Sequence, residues 1–338
     1  MVTIDGRRAA AAYLQPLLLG VGMALLVGLL TAGDLARLHG AGGASVARVA
    51  DMPAAGGTEG RLLPLTQSAA MDGFAVWSPD GRQIAFMRDG QILLVQAGGG
   101  TARVLTSHPA AWDAGPVWRP DGRALAFVRL STRDNRAQVM ELSLGPGGEP
   151  TGPPRELVRE AGAIGYLAWD PRGESLYYTT NNRIVRVGTG GGRTEVFRAP
   201  EGWDLISGGL AVSPDARWLL FGGGPQQPGG VEYNLYRIPA RGGQPEQLTT
   251  GGGIMPGLHP GGQLVAYRNP RGASGIYLLN LVTGSAERLL ADEPRAMYFH
   301  PQFSPDGRRL LVSRLILAPR RERAGGGFTS NIYMYTLE

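Results

Sequence analysis

The sequence predicts an all-β fold, a six-bladed β-propeller with four-stranded blades, and three observations predict it. A proline-anchored segment recurs six times at blade-length spacing. Each copy reads as a strand, a tight turn and a second strand that is apolar on both faces, as a strand sandwiched between neighbouring sheets must be. Glycine supplies 53 of 338 residues, which suits many short strands joined by tight turns.

The copies are WSPDGRQIAF around Pro79, WRPDGRALAF around Pro120, WDPRGESLYY around Pro171, VSPDARWLLF around Pro214, LHPGGQLVAY around Pro260 and FSPDGRRLLV around Pro305. Successive prolines are 41, 51, 43, 46 and 45 residues apart, the length of one four-stranded blade. Two residues before the proline stands a large apolar group: Trp77, Trp118, Trp169, Val212, Leu258 or Phe303. Five after it come Ile84, Leu125, Leu176, Leu219, Val265 and Leu310; seven after it come Phe86, Phe127, Tyr178, Phe221, Tyr267 and Val312. These two positions share one face of a strand. The intervening position is also apolar or small, so both faces are buried. Pro-Asp-Gly between the strands is turn chemistry: proline fixes φ, aspartate bonds nearby backbone and glycine accepts positive φ. Arg172, Ala216 and Gly261 break the Asp-Gly pair in repeats three to five, and looser turns are expected there.

Third strands follow at 91–96, 139–144, 184–187, 234–238, 276–281 and 332–337, and fourth strands at 102–106, 155–158, 194–197, 246–249 and 287–290. The GGG runs at 98–100 and 190–192 fit the hairpin turns between them. The sixth repeat stops at its third strand. Residues 61–66, RLLPLT, resemble a fourth strand and precede the first repeat, so they are expected to pair with 332–337 and close the ring. Pro64 suits an outermost strand.

Ahead of the propeller, Ala9 to Gly33 carries no charged residue. As a hydrophobic helix, 25 residues would span about 37 Å, enough for a hydrocarbon core of about 30 Å. Arg7 and Arg8 favour a cytoplasmic N-terminus. The reading is a cytoplasmic tail at 1–12, a transmembrane anchor or signal segment at 13–33, a flexible Ala/Gly-rich tether at 34–59 and the propeller at 60–338. A cleaved signal peptide, with Leu17 to Leu30 as its apolar region and Thr31-Ala32-Gly33 as its cleavage site, competes with the anchor. Both place the propeller outside the cytoplasm, either membrane-anchored by a single pass or secreted.

The S-P-D-G-x-x-hydrophobic-x-aromatic repeat, with a GG turn and an R-x-L-T strand, resembles the TolB-like, WD-repeat-like (PD-repeat) six-bladed propellers over about residues 60–338. The resemblance implies a module that docks proteins in the periplasm, fronts a peptidase domain or serves at a cell surface. TolB itself carries a separate N-terminal α/β domain, and residues 34–59 are too short to hold one.

Composition narrows the chemistry. There is no cysteine, which removes disulfides, thiolate nucleophiles and zinc–thiolate sites. There is no lysine, which removes Schiff-base and P-loop chemistry. The net charge is +5, but the arginines are scattered among acids apart from Arg320, Arg321 and Arg323, so no nucleic-acid partner is expected. No G-x-S-x-G elbow, H-x-x-x-H pair or calcium loop occurs, and His39, His108, His259 and His300 are far apart. No catalytic residue, metal or cofactor is expected.

The loops from outer strand to next inner strand, and those between second and third strands, lie around one mouth of the channel and are the richer ones. They carry Asp72, His108, Trp112, Asp113, Trp203, Asp204 and His300, the expected binding rim, with the Trp-Asp steps at 112–113 and 203–204 as its best candidates. The alternative for the aspartates is capping of backbone N–H groups at blade entry. The expected function is a non-catalytic module that binds an extracytoplasmic protein, peptide or polysaccharide, held to the membrane by its N-terminal helix, either free-standing or as a subunit of a membrane-associated complex. The alternative is a propeller enzyme, a lactonase-like hydrolase or a lyase, with its site at the channel mouth.

Overall fold

The computed structural model describes residues 61–337, apart from 135, 206–207, 229 and 318–327. The N-terminal tail, the hydrophobic helix at 13–33 and the tether at 34–59 lie outside the described residues, as does the arginine cluster at 320–323. Among the described residues, no helix is long and apolar enough to cross a membrane.

Six antiparallel sheets, or blades, follow one another along the chain. Strands are lettered A, innermost, to D, outermost. Blade 1 is Asp72–Trp77, Gln83–Arg88, Gln91–Gln96 and Arg103–Val104. Blade 2 is Ala111–Trp118, Ala124–Ser131, Ala137–Ser143 and Arg155–Glu160; blade 3 is Ile164–Trp169, Ser175–Thr180, Arg183–Gly188 and Arg193–Arg198. Blade 4 is Leu210–Val212, Trp218–Gln227, Asn234–Pro239 and Glu246–Gln247; blade 5 is Ile254–Leu258, Leu264–Asn269, Gly275–Asn280 and Ala286–Ala291. Blade 6 takes A, B and C from Ala296–Phe303, Arg309–Leu317 and Phe328–Thr336. Its fourth strand is Leu62–Pro64, antiparallel to strand C with Leu62 opposite Tyr335 and Pro64 opposite Tyr333.

The apolar periodicity accounts for the packing. In strand B, the residues five, six and seven after the proline are buried in every blade, from Ile84, Ala85 and Phe86 to Leu310, Leu311 and Val312. Each B strand thus fills the space on both of its faces. Each inner strand packs against the next, and Ala296–Phe303 packs against Asp72–Trp77.

The A–B turns are one structure repeated. Gly81, Gly122, Gly173, Ala216, Gly262 and Gly307 have φ of 70°, 72°, 70°, 58°, 74° and 72°. Each donates its N–H to the carbonyl of the residue just before the proline, at 2.8–2.9 Å. The expectation of looser turns in repeats three to five is therefore corrected. What varies is the acceptor that holds the turn. Asp80, Asp215 and Asp306 accept from Ser78, Ser213 and Ser304 and from the N–H two residues on. The serine bond first, then that N–H, holds these carboxyls below their usual range. In blade 3 Asp170 accepts from Arg172 and Glu174, and in blade 5 His259 Nδ1 accepts from Gly261.

Blade 4 departs most. Its B strand runs on to Gln227, where it pairs with Trp203–Asp204 and folds back on Gly230–Val231. A β-carbon on Gly222 would strike the Gly208 backbone, so glycine is required where these segments cross.

Candidate functional site

A bulge in the inner strands builds the site. Register slips between Gly73 and Val76, Ala114 and Val117, Ile164 and Leu167, Ile254 and Gly257, and Phe299 and Gln302. Such a slip re-aims a side chain. The residues five before each proline are Phe74, Gly115, Tyr166, Gly209, Met255 and His300, and all six line one axial cavity. Phe74, Met255 and His300 each hold φ of 54°, a left-handed conformation that non-glycine residues rarely adopt. Such outliers persist only where the surroundings enforce them.

Three of these side chains, from blades 1, 3 and 6, meet across the axis. The His300 ring lies 5.0 Å from Phe74, edge to face, and stacks on Tyr166 at 6.3 Å. Phe74 and Tyr166 are themselves 6.3 Å apart. Burial pushes the His300 pKa down to about 4 and raises that of Tyr166. His300 is therefore a neutral imidazole near pH 7, and this aromatic cluster floors the cavity.

The cavity holds about 320 Å³. Its wall is Trp77, Trp118 and Trp169 on one arc and Val212, Leu258 and Phe303 on the other. It opens between the A–B turns, past Pro79, Pro120, Pro260 and Pro305. Among the described residues, no Asp, Glu or Arg lines it, and the polar side chains there are the three indoles, Tyr166, His300, Gln302 and Ser304. Just outside, Arg309 lies over Trp77 and Arg119 over Trp169, at 4.6 and 5.8 Å from the ring centres.

Of the seven residues expected at the rim, His300 alone lines this cavity, and it lies within an inner strand rather than a loop. The expected face is the opposite one. There Asp72 and Asp113, also within inner strands, are buried and engaged by both oxygens with Arg88 and Arg129, at 2.6–2.8 Å. These bonds come from side chains, not from backbone N–H groups as the capping alternative supposed: each ties strand A to strand B, and Asp72 also accepts from Ser68. Trp112 packs on Gly90, where a β-carbon would come within 2.7 Å of the indole. His108 is exposed, and its Nδ1 accepts from Ala110 N at 3.1 Å. Trp203 packs on Tyr236 at 5.1 Å, its carbonyl accepting from Asn182 at 2.6 Å, and Asp204 accepts from Tyr233 at 2.5 Å. The Trp-Asp steps thus sit in different blades and are not brought together. Among the described residues, no three His, Cys, Asp or Glu side chains are grouped so as to hold a metal ion.

No family model matches the sequence, and no curated protein matches it. Solved structures do. A structure assigned to TolB from Agrobacterium tumefaciens superposes with a TM-score of 0.58 at 17% identity, covering 82% of this chain and 97% of that one. The fold is TolB-like. The TolB-like fold also extends to an oligogalacturonate lyase in complex with manganese, with a TM-score of 0.56, 16% identity and coverage of 81% and 79%. A gluconolactonase from Xanthomonas campestris gives 0.56, 16% identity and coverage of 82% and 89%. At these identities the likeness concerns the fold, and a TolB-like propeller hosts binding and catalysis alike.

Proposed function

We propose that this TolB-like propeller is a non-catalytic binding module that takes an uncharged, apolar segment of a partner protein into its axial cavity. One observation carries the reading: among the described residues the cavity wall is tryptophan, phenylalanine, proline and aliphatic side chains with no carboxylate and no guanidinium. Acid–base catalysis needs titratable groups within hydrogen-bond reach of the reacting atoms, and the titratable side chains among the described lining residues are His300 and Tyr166, both buried in the floor. A charged ligand would be desolvated there without a partner, at a cost of several kcal/mol. Aromatic and proline surfaces instead suit an apolar anchor whose flanking backbone is held by a few polar groups.

The enzyme alternative keeps its support from the lyase and lactonase propellers of the same fold. It calls for a carboxylate or a metal-binding cluster beside the buried His300 and Tyr166, and the described lining residues include no carboxylate. We further propose that the hydrophobic segment at 13–33 anchors the propeller on the extracytoplasmic side. The pairing of Leu62–Pro64 with Phe328–Thr336 is then the device that closes the ring.

Panning a random peptide library against the detergent-extracted full chain tests the binding reading. The wild type should enrich uncharged sequences with aliphatic, aromatic or proline residues. Val212→Trp, which places in blade 4 the side chain that blades 1 to 3 carry, should weaken the enriched peptides more than about tenfold while leaving the urea midpoint unchanged. Enrichment of charged sequences, or binding indifferent to Val212→Trp, would overturn it.

A further inference from the structure

The strand directions fix which face the N-terminal region leaves. Strand A runs toward the A–B turns, B away, C toward and D away. The D strand Leu62–Pro64 therefore starts on the face of the A–B turns, the face on which the cavity opens. Hydrogen bonds show the same placement. Leu337 N–H donates to the carbonyl of Arg308, in the A–B turn of blade 6, at 2.9 Å. Thr336 N–H donates to the carbonyl of Arg61, also at 2.9 Å. Ser304 and Pro305 of that same turn line the cavity mouth. Arg61, the first described residue, thus lies on the face where the cavity opens, at the edge of blade 6.

Immediately upstream of Arg61 the sequence reads MPAAGGTEG, and Met52 to Thr58 is an uncharged run with one large apolar side chain and one proline. From Arg61 back to Met52 is nine residues, a reach of up to about 30 Å when extended. Crossing a blade from strand D to strand A takes three strand spacings, about 14 Å. The cavity volume, 320 Å³, equals roughly ten water volumes, space for one or two side chains. Further upstream, Asp51 and Arg48 would bring charge to a wall with no charge to meet it.

We infer that Met52 to Thr58 is an intramolecular occupant of the axial cavity, seated by Met52 and Pro53 between the tryptophan arc and the arc of Val212, Leu258 and Phe303. This rests on the cavity being a ligand site. A short tether gives a tethered segment an effective concentration in the millimolar range, so even weak contacts hold it in place. The partner segment must displace it, and the propeller is self-blocked until a partner competes.

The absence of cysteine makes the test direct. In the full chain, Ala54→Cys is combined with Val212→Cys in the cavity wall, or with Arg133→Cys on the opposite face as control, under mild oxidation. The expected result is a disulfide within one chain for the 54–212 pair and little for the 54–133 pair. Equal yields, no bond, or bonds only between two chains would overturn the inference, the last by assigning the cavity to a second copy. In a second arm, peptides enriched by panning are titrated against the full chain and against Met52→Asp/Ala54→Asp. These substitutions lie outside the propeller, so they leave its packing intact. Binding about tenfold tighter in the variant is expected, because the open fraction limits apparent affinity. Equal affinity defeats self-occupancy and leaves the binding role standing; no binding to either protein defeats the binding role itself.

Discussion

The guanidinium of Arg309, in blade 6, lies over the indole of Trp77, in blade 1, 4.6 Å from the ring centre. This contact spans the seam between the last and first blades. Arg309 is about one-third exposed, so the stacked cation contributes about 0.5–1 kcal/mol. Arg309→Leu should lower stability by that amount, and Trp77→Ala by about 3–5 kcal/mol. A double-mutant cycle read by urea denaturation isolates the contact; strictly additive effects would show that it contributes nothing.

Ala216 holds φ of 58° at the turn position where the other five blades have glycine. A left-handed conformation costs a residue with a β-carbon about 1–2 kcal/mol, while glycine loses about 0.5–1 kcal/mol more backbone entropy on folding. Ala216→Gly should therefore stabilise the protein by about 0.5–1 kcal/mol. A rise in the urea midpoint at constant slope checks this; a fall would mean that the turn is not strained by its alanine.

The place of each A–B turn, the strands and the blade count were legible because each blade repeats one local pattern: Pro79 to Pro305 mark it, and Ile84 or Phe86 show which faces are covered. The uniform turn geometry was not, because Arg172, Ala216 and Gly261 break the Asp-Gly pair. The cavity was not legible. Its lining depends on a bulge that turns Phe74, Met255 and His300 inward at a positive φ that Phe and Met disfavour, with only Gly115 and Gly209 as hints. Its wall residues Trp77, Trp118 and Trp169 were visible as a repeated position, but a buried strand end and a cavity wall look alike in sequence. The Asp113–Arg129 pair had a usable signal. Asp lies seven before and Arg nine after the proline in blades 1 and 2, and an antiparallel hairpin about that turn sets them side by side.

That pair gives a third expectation. Asp113 is wholly buried and Arg129 nearly so, bonded at 2.7 and 2.8 Å. Removing the cation alone strands a buried carboxylate, so Arg129→Met should cost about 3–5 kcal/mol. Asp113→Leu in the same chain removes that stranded charge, and the double variant should recover most of the loss. Thermal or urea unfolding of the three proteins decides it. A double variant no better than Arg129→Met would mean that the bonding geometry, not the stranded charge, dominates.

His300 sets the pH dependence of the axial floor. Burial lowers its pKa from 6.5 to about 4 in the folded protein. The unfolded chain, titrating near 6.5, therefore takes up a proton first as pH falls. The stability that comes from keeping this imidazole neutral is complete above pH 6.5. It drains away between pH 6.5 and about 4, at up to about 1.4 kcal/mol per pH unit, and changes no further below that. The Asp80, Asp215 and Asp306 carboxyls, held low by their serine and backbone donors, lose their contribution only as pH drops below the ordinary carboxylate range. His300→Asn keeps a residue type tolerant of positive φ and removes the titration. The difference in urea midpoint between wild type and His300→Asn should change steadily from pH 6.5 to 4, with the wild type losing stability faster. Parallel curves for the two proteins would show that the imidazole is not held neutral, and that solvent reaches the floor of the cavity between Phe74 and Tyr166.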